Sequence, residues 1–404
     1  MNSSDNQQFS GGTPAWGTRR GPVVPYVPGL DGLRALAVLA VVVYHANHAW
    51  LGGGFLGVEV FFVISGYLIT LLLIAERERS GTVSLGNFWM RRARRLLPAL
   101  FALLLGTIVY CALFDRDRLG MLRGDVLGGV TYISNWFQIW TGSSYTSSFT
   151  FAPLRHLWSL AVEEQFYIVW PLVMFVLLRR IRQRTLPILG LVFTAIAVGL
   201  GVWSAMLYRS GPIDTFAVTP EQYMNFFGRQ VSRIDFIYLG TATRASGLLL
   251  GAALATMWRP WAIRRGRAGS NANALDVAGV LSLAALAFMC WKFREVVSVV
   301  DGGTQGYDLL YRGGLIAVGV ATLVAIATVT HPRSRLGKYV IGTPILVWIG
   351  KRSYGLYLYH WPVFQALRHE TGIALKPHEF IAAMLVTAVI TEISYRYIEL
   401  PIRE

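Results

Sequence analysis

From residue 30 onward the chain alternates between apolar runs of roughly bilayer length and short polar intervals, many of them basic. A helix rises 1.5 Å per residue, so about 20 apolar residues cross a hydrocarbon layer about 30 Å thick. Runs of that kind cover residues 30–50, 55–75, 96–114, 156–178, 186–208, 245–258, 274–291, 313–330, 345–367 and 380–397. The pattern predicts an all-α fold, a polytopic transmembrane helix bundle of about ten spanning helices. A further apolar stretch, 126–140, is broken by Gly128-Gly129, Ser134 and Asn135. It is expected to be re-entrant or interfacial, because counting it as a crossing would put the basic RRIRQR segment after 156–178 on the outer face. Trp136 and Trp140 suit an interface. Turns are expected at Gly52-Gly53-Gly54 and Asp301-Gly302-Gly303, and Lys351-Arg352 interrupts the ninth run, so its hydrocarbon part is expected to begin at Ser353.

Composition agrees with this pattern: 54% of the 404 residues are apolar and 15% are charged. The net charge of +15 could suggest a nucleic-acid partner. The arginines, however, lie in clusters between apolar runs, which is positive-inside bias rather than a continuous binding surface, and no nucleic acid is expected. Residues 1–28 are rich in Ser, Gly, Gln and Pro and lack the apolar core of a signal peptide, so they read as a disordered cytoplasmic tail. Ten crossings from an inner start leave both termini cytoplasmic. The largest outer interval, 209–244, is long enough for a lid or acceptor surface. Cys111 and Cys290 are too few for a disulfide framework and have no metal spacing.

The candidate chemistry begins in the first run. Arg34 and His45 are eleven residues apart, almost a whole number of turns, so they share a helix face about 16 Å apart along the axis. A neutral imidazole within a span can act as proton acceptor or nucleophile; its plain alternative is a hydrogen bond to a neighbouring helix. Arg34 can clamp a phosphate or carboxylate, snorkel to the interface, or pair with Asp31. Arg91, Arg92, Arg94 and Arg95 stand at a helix start on the inner side, where a polyanionic cofactor can dock; a topology-setting basic loop is the competing account. Glu163 and Glu164 sit deep in the 156–178 run, and at least one should face a polar cavity, with helix packing the alternative. Ser353, Tyr354, Tyr357 and His360 fall on one region of the ninth helix and are candidate substrate-binding residues alongside Glu164 and Glu59, against an aromatic belt as the ordinary explanation for the tyrosines. No metal site is expected, and there is no phosphate loop or G-x-S-x-G elbow.

The ordered set LDGLRALAVLAVVVYHA, FLGVEVFFVISGYLIT, FWMRRARRLLPAL, YISNW, HLWSLAVEEQFYIVWPL, TRASGLLLGAALA and SYGLYLYHWP resembles membrane-bound acyltransferase family 3. The resemblance covers nearly everything after the tail and implies that residues 29–404 form an integral membrane acyltransferase domain. It implies an O-acyltransferase that moves an acyl group, usually acetyl, from cytoplasmic acetyl-CoA or another acyl-CoA to a hydroxyl of a cell-surface carbohydrate or glycolipid. The setting it implies is the bacterial cytoplasmic membrane, with membrane lipids around the bundle. The family's arginine–histidine pair maps onto Arg34 and His45, its basic motif onto Arg91 to Arg95, and its span acid onto Glu163. His45 would act as base or acyl carrier, with Glu163 orienting it or stabilising its charge. Some members add an extracytoplasmic esterase-like domain; without one, this chain is expected to act alone or with a separate extracytoplasmic partner. A transporter or flippase of a lipid or glycan also accommodates charges at the midplane and discontinuous helices. A lipid-binding scaffold would need neither His45 nor Glu163.

Overall fold

The computed structural model describes residues 24–120, 122–143, 151–263, 272–298, 304–371 and 374–403. Most of the expected tail and the Asp301-Gly302-Gly303 turn lie outside them. In chain order the helices are α1 (Pro28–Ala46), α2 (Gly57–Ser80), α3 (Leu85–Phe114), α4 (Arg116–Leu119), α5 (Leu122–Val130), α6 (Ser134–Thr141), α7 (Leu157–Arg180) and α8 (Leu186–Leu207). After β1 (Pro212–Ile213), β2 (Tyr223–Phe226) and β3 (Arg229–Ser232) come α9 (Arg233–Leu239), α10 (Thr241–Met257), α11 (Pro260–Ile263) and α12 (Ala272–Lys292). Strands β4 (Val296–Ser298) and β5 (Thr304–Gly306) precede α13 (Leu315–Thr330), α14 (Pro344–Lys351), α15 (Ser353–Thr371), α16 (Pro377–Ser394) and α17 (Leu400–Arg403).

Among the described residues, eight helices are long and apolar enough to cross a membrane: α1, α2, α3, α7, α8, α12, α13 and α16. The 17-residue α10 and the more polar α15 fall outside that group. Burial separates centre from periphery. The most apolar stretch of α2 is 78% buried and that of α1 is 67%, against 17% for α12 and 22% for α16. The helix bearing Arg34 and His45 is therefore central, whereas α12 and α16 leave most of their apolar stretch exposed on the outside of the bundle.

Small residues make the central contacts possible. A Cβ on Gly66 of α2 would stand 1.9 Å from the Leu248 carbonyl oxygen, and one on Gly251 of α10 would stand 2.0 Å from that of Val63. At the N-terminal end of α1, a Cβ on Gly350 of α14 would stand 1.9 Å from the Asp31 carbonyl oxygen. Backbone cannot yield to a side chain at such distances, so these glycines set how closely the helices approach.

Two expected interruptions are present. The 126–140 stretch forms α5 and α6, two short helices separated by a bend in which Tyr132 has φ 54°. Asn135 Nδ2 donates to Leu239 O at 3.0 Å and to Thr241 Oγ1 at 2.9 Å, so the polar residues that break the run tie it to α9 and α10. The ninth run is divided between α14 and α15 at Arg352, whose Nη2 donates to Glu392 Oε1 at 3.0 Å on α16. The interval 209–244 folds into a small cap: β2 and β3 form a hairpin turned by Phe227 (φ 49°) and Gly228 (φ 82°), and β1 joins the antiparallel sheet β1-β5-β4. Two successive positive-φ residues match the twist of a two-residue hairpin.

Candidate active site

The end of the bundle that carries the basic clusters opens into a cavity of about 720 Å³. Its cations are Arg34, Arg92, Arg95, Lys351 and Arg403; its acids are Asp31, Glu163 and Glu164. The arginine cluster divides by helical phase, since residues three apart share a face. Arg92 and Arg95 line the cavity, whereas Arg94 is exposed and the Arg91 side chain is 63% exposed, 3.5 Å from Glu76. Arg92 lies 3.7 Å from the Tyr167 ring centre and 3.6 Å from Glu164 Oε1. Pro171 has no N–H for the Tyr167 carbonyl four residues earlier, and Trp89 Nε1 donates to that oxygen at 3.1 Å instead, fastening α3 to α7 beside Arg92.

A narrower space of about 50 Å³ continues from the cavity. The two share Arg34, Phe61, Leu160, Glu163 and Tyr354, and the narrow part ends at Ser159, Ser353 and Tyr357. Glu163 accepts a hydrogen bond from Ser65 Oγ at 2.7 Å, and Arg34 lies 6.0 Å from the Phe61 ring centre. Tyr354 Oη donates to Leu96 O at 2.9 Å, pinning α15 to α3.

Beyond this passage lie three buried histidines. Tyr357 Oη donates to His156 O at 3.0 Å and is 2.6 Å from Ser159 Oγ. His156 Nε2 lies 3.0 Å from Leu358 O, the carbonyl that Pro362 leaves without its helical partner. The His156 ring centre is 5.9 Å from that of His360, and His360 Nε2 is 2.8 Å from His45 Nδ1. Trp361 covers His45 at 4.7 Å between ring centres. Arg368 donates to the carbonyls of His45 and Ala46 at the end of α1. The order Arg34, Tyr357, His360, His45 thus runs from the basic cavity toward the capped end of the bundle.

The structure brings Arg34, Arg92, Arg95, Glu163, Glu164, Ser353, Tyr354 and Tyr357 onto one continuous space, with His360 and His45 behind it. Glu163 stands beside Arg34 and Ser65, and His45 Nδ1 meets His360 Nε2. Glu59 is not on this space. It pairs with Arg244 at 3.1 Å, both side chains 1% exposed, in a box formed by Phe62, Trp158 and Tyr238 with the guanidinium 5.3–5.7 Å from each ring centre. Removing one partner strands a buried charge, so Glu59→Ala is expected to destabilise the protein by about 3–5 kcal/mol, whereas Glu59→Met combined with Arg244→Met should lose much less. Thermal unfolding in detergent checks this; equal losses would contradict it. Lys351, Arg403, Ser159 and His156 join the site without having been singled out. Arg403 has no local pattern that could have revealed it, while His156 and Ser159 sit in the same apolar stretch as Glu163.

Among the described residues no cluster of His, Cys, Asp or Glu could hold a metal ion. What the fold defines is a multi-pass α-helical membrane protein with an internal basic cavity whose narrow extension reaches Tyr357, next to buried imidazoles. The chain belongs to an acyltransferase family, whose acyltransferase domain matches residues 27–396. It is similar to O-acetyltransferase OatA of Staphylococcus aureus (strain NCTC 8325 / PS 47), 38% identical over 365 residues, covering 90% of this chain and 55% of that protein. It is also similar to peptidoglycan O-acetyltransferase OatA of Listeria monocytogenes, 40% identical over 375 residues, covering 90% of this chain and 53% of that protein. The chain spans about half the length of these curated relatives. No solved structure matches it.

Proposed function

We propose that the protein is a membrane O-acyltransferase that moves an acetyl group from cytoplasmic acetyl-CoA to a hydroxyl of a cell-envelope carbohydrate, with peptidoglycan the first acceptor to test. In this reading α10 and α15 are also crossings, making ten, both termini are cytoplasmic, and the membrane is the bacterial inner membrane. The observation that carries the proposal is the graded cavity: Arg92, Arg95, Lys351 and Arg403 line its wide part, Arg34 lines both the wide part and a narrow extension, and that extension reaches Tyr357, whose ring centre is 5.6 Å from that of His360. Guanidinium groups suit phosphates, and a passage too narrow for a nucleotide suits an extended thiol arm. Each residue then has a task. Arg92, Arg95 and Arg403 hold the donor's phosphates, with Lys351 adding charge at the mouth. Arg34 faces the arm, and Glu163 balances the positive charge there.

His45 supplies the reacting nitrogen in one of two ways, as base or as acyl carrier. As a base it takes the proton of the acceptor hydroxyl while that oxygen bonds to the thioester carbon; the C–S bond breaks, and the departing thiolate recovers the proton from the imidazolium. As a carrier it bonds to the carbonyl carbon itself, the C–S bond breaks and CoA leaves as thiolate; the acceptor oxygen then bonds to the acetyl carbon as the C–N bond breaks, and the hydroxyl proton goes to the thiolate. Both use the same lone pair. The test is purified protein in nanodiscs, supplied with radiolabelled acetyl-CoA and peptidoglycan fragments, with free sugars and glycolipids as further acceptors. Label appearing as base-labile ester on carbohydrate, with stoichiometric free CoA, is the expected result. Failure to release CoA with any acceptor would overturn the proposal.

A further inference from the structure

The narrow extension is walled largely by apolar groups, Val58, Phe61, Phe62 and Leu160, yet it contains a hydroxyl with nothing to bond. Ser353 lines it and is 1% exposed, and its Oγ has no hydrogen-bond partner among the described residues. The other hydroxyls on that lining are engaged: Tyr354 Oη donates to Leu96 O, and Tyr357 Oη lies 2.6 Å from Ser159 Oγ. A serine at a helix start ordinarily turns its oxygen to a nearby backbone N–H; Ser353, the first residue of α15, does not. Arg34 Nε, on the same lining, is also buried without a partner. A buried polar atom left unbonded is costly, and native proteins tolerate one mainly where something else comes to bond it.

We propose that Ser353 is a donor-binding residue whose Oγ hydrogen-bonds an amide group of the pantetheine arm when acetyl-CoA lies in the extension. The proposal deepens the functional reading above and rests on it. Shape and chemistry lead to the same group. A space of about 50 Å³ admits a slender chain but not a nucleotide. Its apolar walls suit the methylenes of the arm, and the arm's polar positions are amides, each an N–H donor beside a carbonyl acceptor. A guanidinium only donates, so Arg34 Nε calls for a carbonyl oxygen, whereas a hydroxyl gives or accepts and Ser353 suits either side of an amide. A bare hydrocarbon chain would leave both atoms unbonded. Water is the competing occupant, because a space of this size with polar atoms on its lining can hold one. The Ser353 contact makes the arm, and not only the phosphates, part of what the protein recognises.

Equilibrium binding to the protein in nanodiscs, with no acceptor and no turnover, tests the contact with a pair of probes: CoA, and 3′-phospho-ADP, the nucleotide end of CoA without the arm. Ser353→Ala is expected to weaken CoA by about 3–10-fold, the worth of one neutral hydrogen bond, and to leave the affinity for 3′-phospho-ADP unchanged. Without ligand, the alanine variant should unfold at the parental temperature or slightly above it, because it loses a hydroxyl that had no partner. A serine with a structural task would instead unfold earlier on losing its oxygen. Unchanged CoA affinity in Ser353→Ala, the result if only water meets the hydroxyl, would overturn the proposal. Equal weakening of both probes, or a lower unfolding temperature of the ligand-free variant, would do the same. Failure of the parent protein to bind CoA at all would instead remove the functional reading, and this assignment with it.

Discussion

His45→Ala is expected to lower acetyl transfer by about 10²–10⁴-fold, the range attached to loss of a positioned acid–base group, while leaving membrane insertion and donor affinity intact. The reason is placement: His45 is 2% exposed at the end of the most central pair of helices, bonded to His360 and covered by Trp361. The donor's phosphates lie at the far end of the passage, so its binding should not register the loss. Initial rates and equilibrium binding of acetyl-CoA, measured on the same preparation, separate the two effects. Moving the imidazole to position 46 (His45→Ala with Ala46→His) should be equally inactive, because one residue rotates a helical side chain about 100°. A variant with an imidazole at position 46 and near-parental activity would contradict the assignment. Acid-quenched protein digested for mass analysis decides between the two roles, since only an acyl carrier leaves an acetyl group on the His45 peptide.

The second large effect concerns the arginine cluster. Arg92→Glu and Arg95→Glu should each raise the KM for acetyl-CoA by about 10–100-fold, the value of a charge-assisted phosphate contact of about 1.5–3 kcal/mol. Arg91→Glu and Arg94→Glu should stay close to the parent, because their side chains point away from the cavity. Arg92 carries a second risk, since Glu164 and Tyr167 both lean on it, so Arg95→Glu is the cleaner variant. Equal effects at all four positions would mean that the cluster acts through membrane charge rather than by holding a ligand.

The helices, the break before Ser353 and the interruption of the 126–140 stretch were legible because they are local: hydrophobic period, a pair of cations in an apolar run, small and polar residues in another. The alignment of Arg34 with His45 follows from the same helical arithmetic. The splitting of the arginine cluster was only half legible, for phase separates Arg92 and Arg95 from Arg91 and Arg94 but cannot say which pair faces inward. That depends on where α7 presents Tyr167 and Glu164. Long-range pairings had no signature at all. Glu59 meets Arg244 across the bundle, and His45 Nδ1 meets His360, 315 residues away. Such pairings follow from how helices stack, which the glycines at 66, 251 and 350 control through contacts far apart in the chain.

The central claim is that donor and chemistry are joined through one passage, and a cryo-electron-microscopy structure with a non-hydrolysable acetyl-CoA analogue tests it most directly. The account predicts phosphates among Arg92, Arg95 and Arg403, with the arm passing Arg34 and its acyl end directed past Tyr357 toward His45. A nucleotide held on the capped end of the bundle, or against Arg91 and Arg94 on the outside of α3, would contradict it.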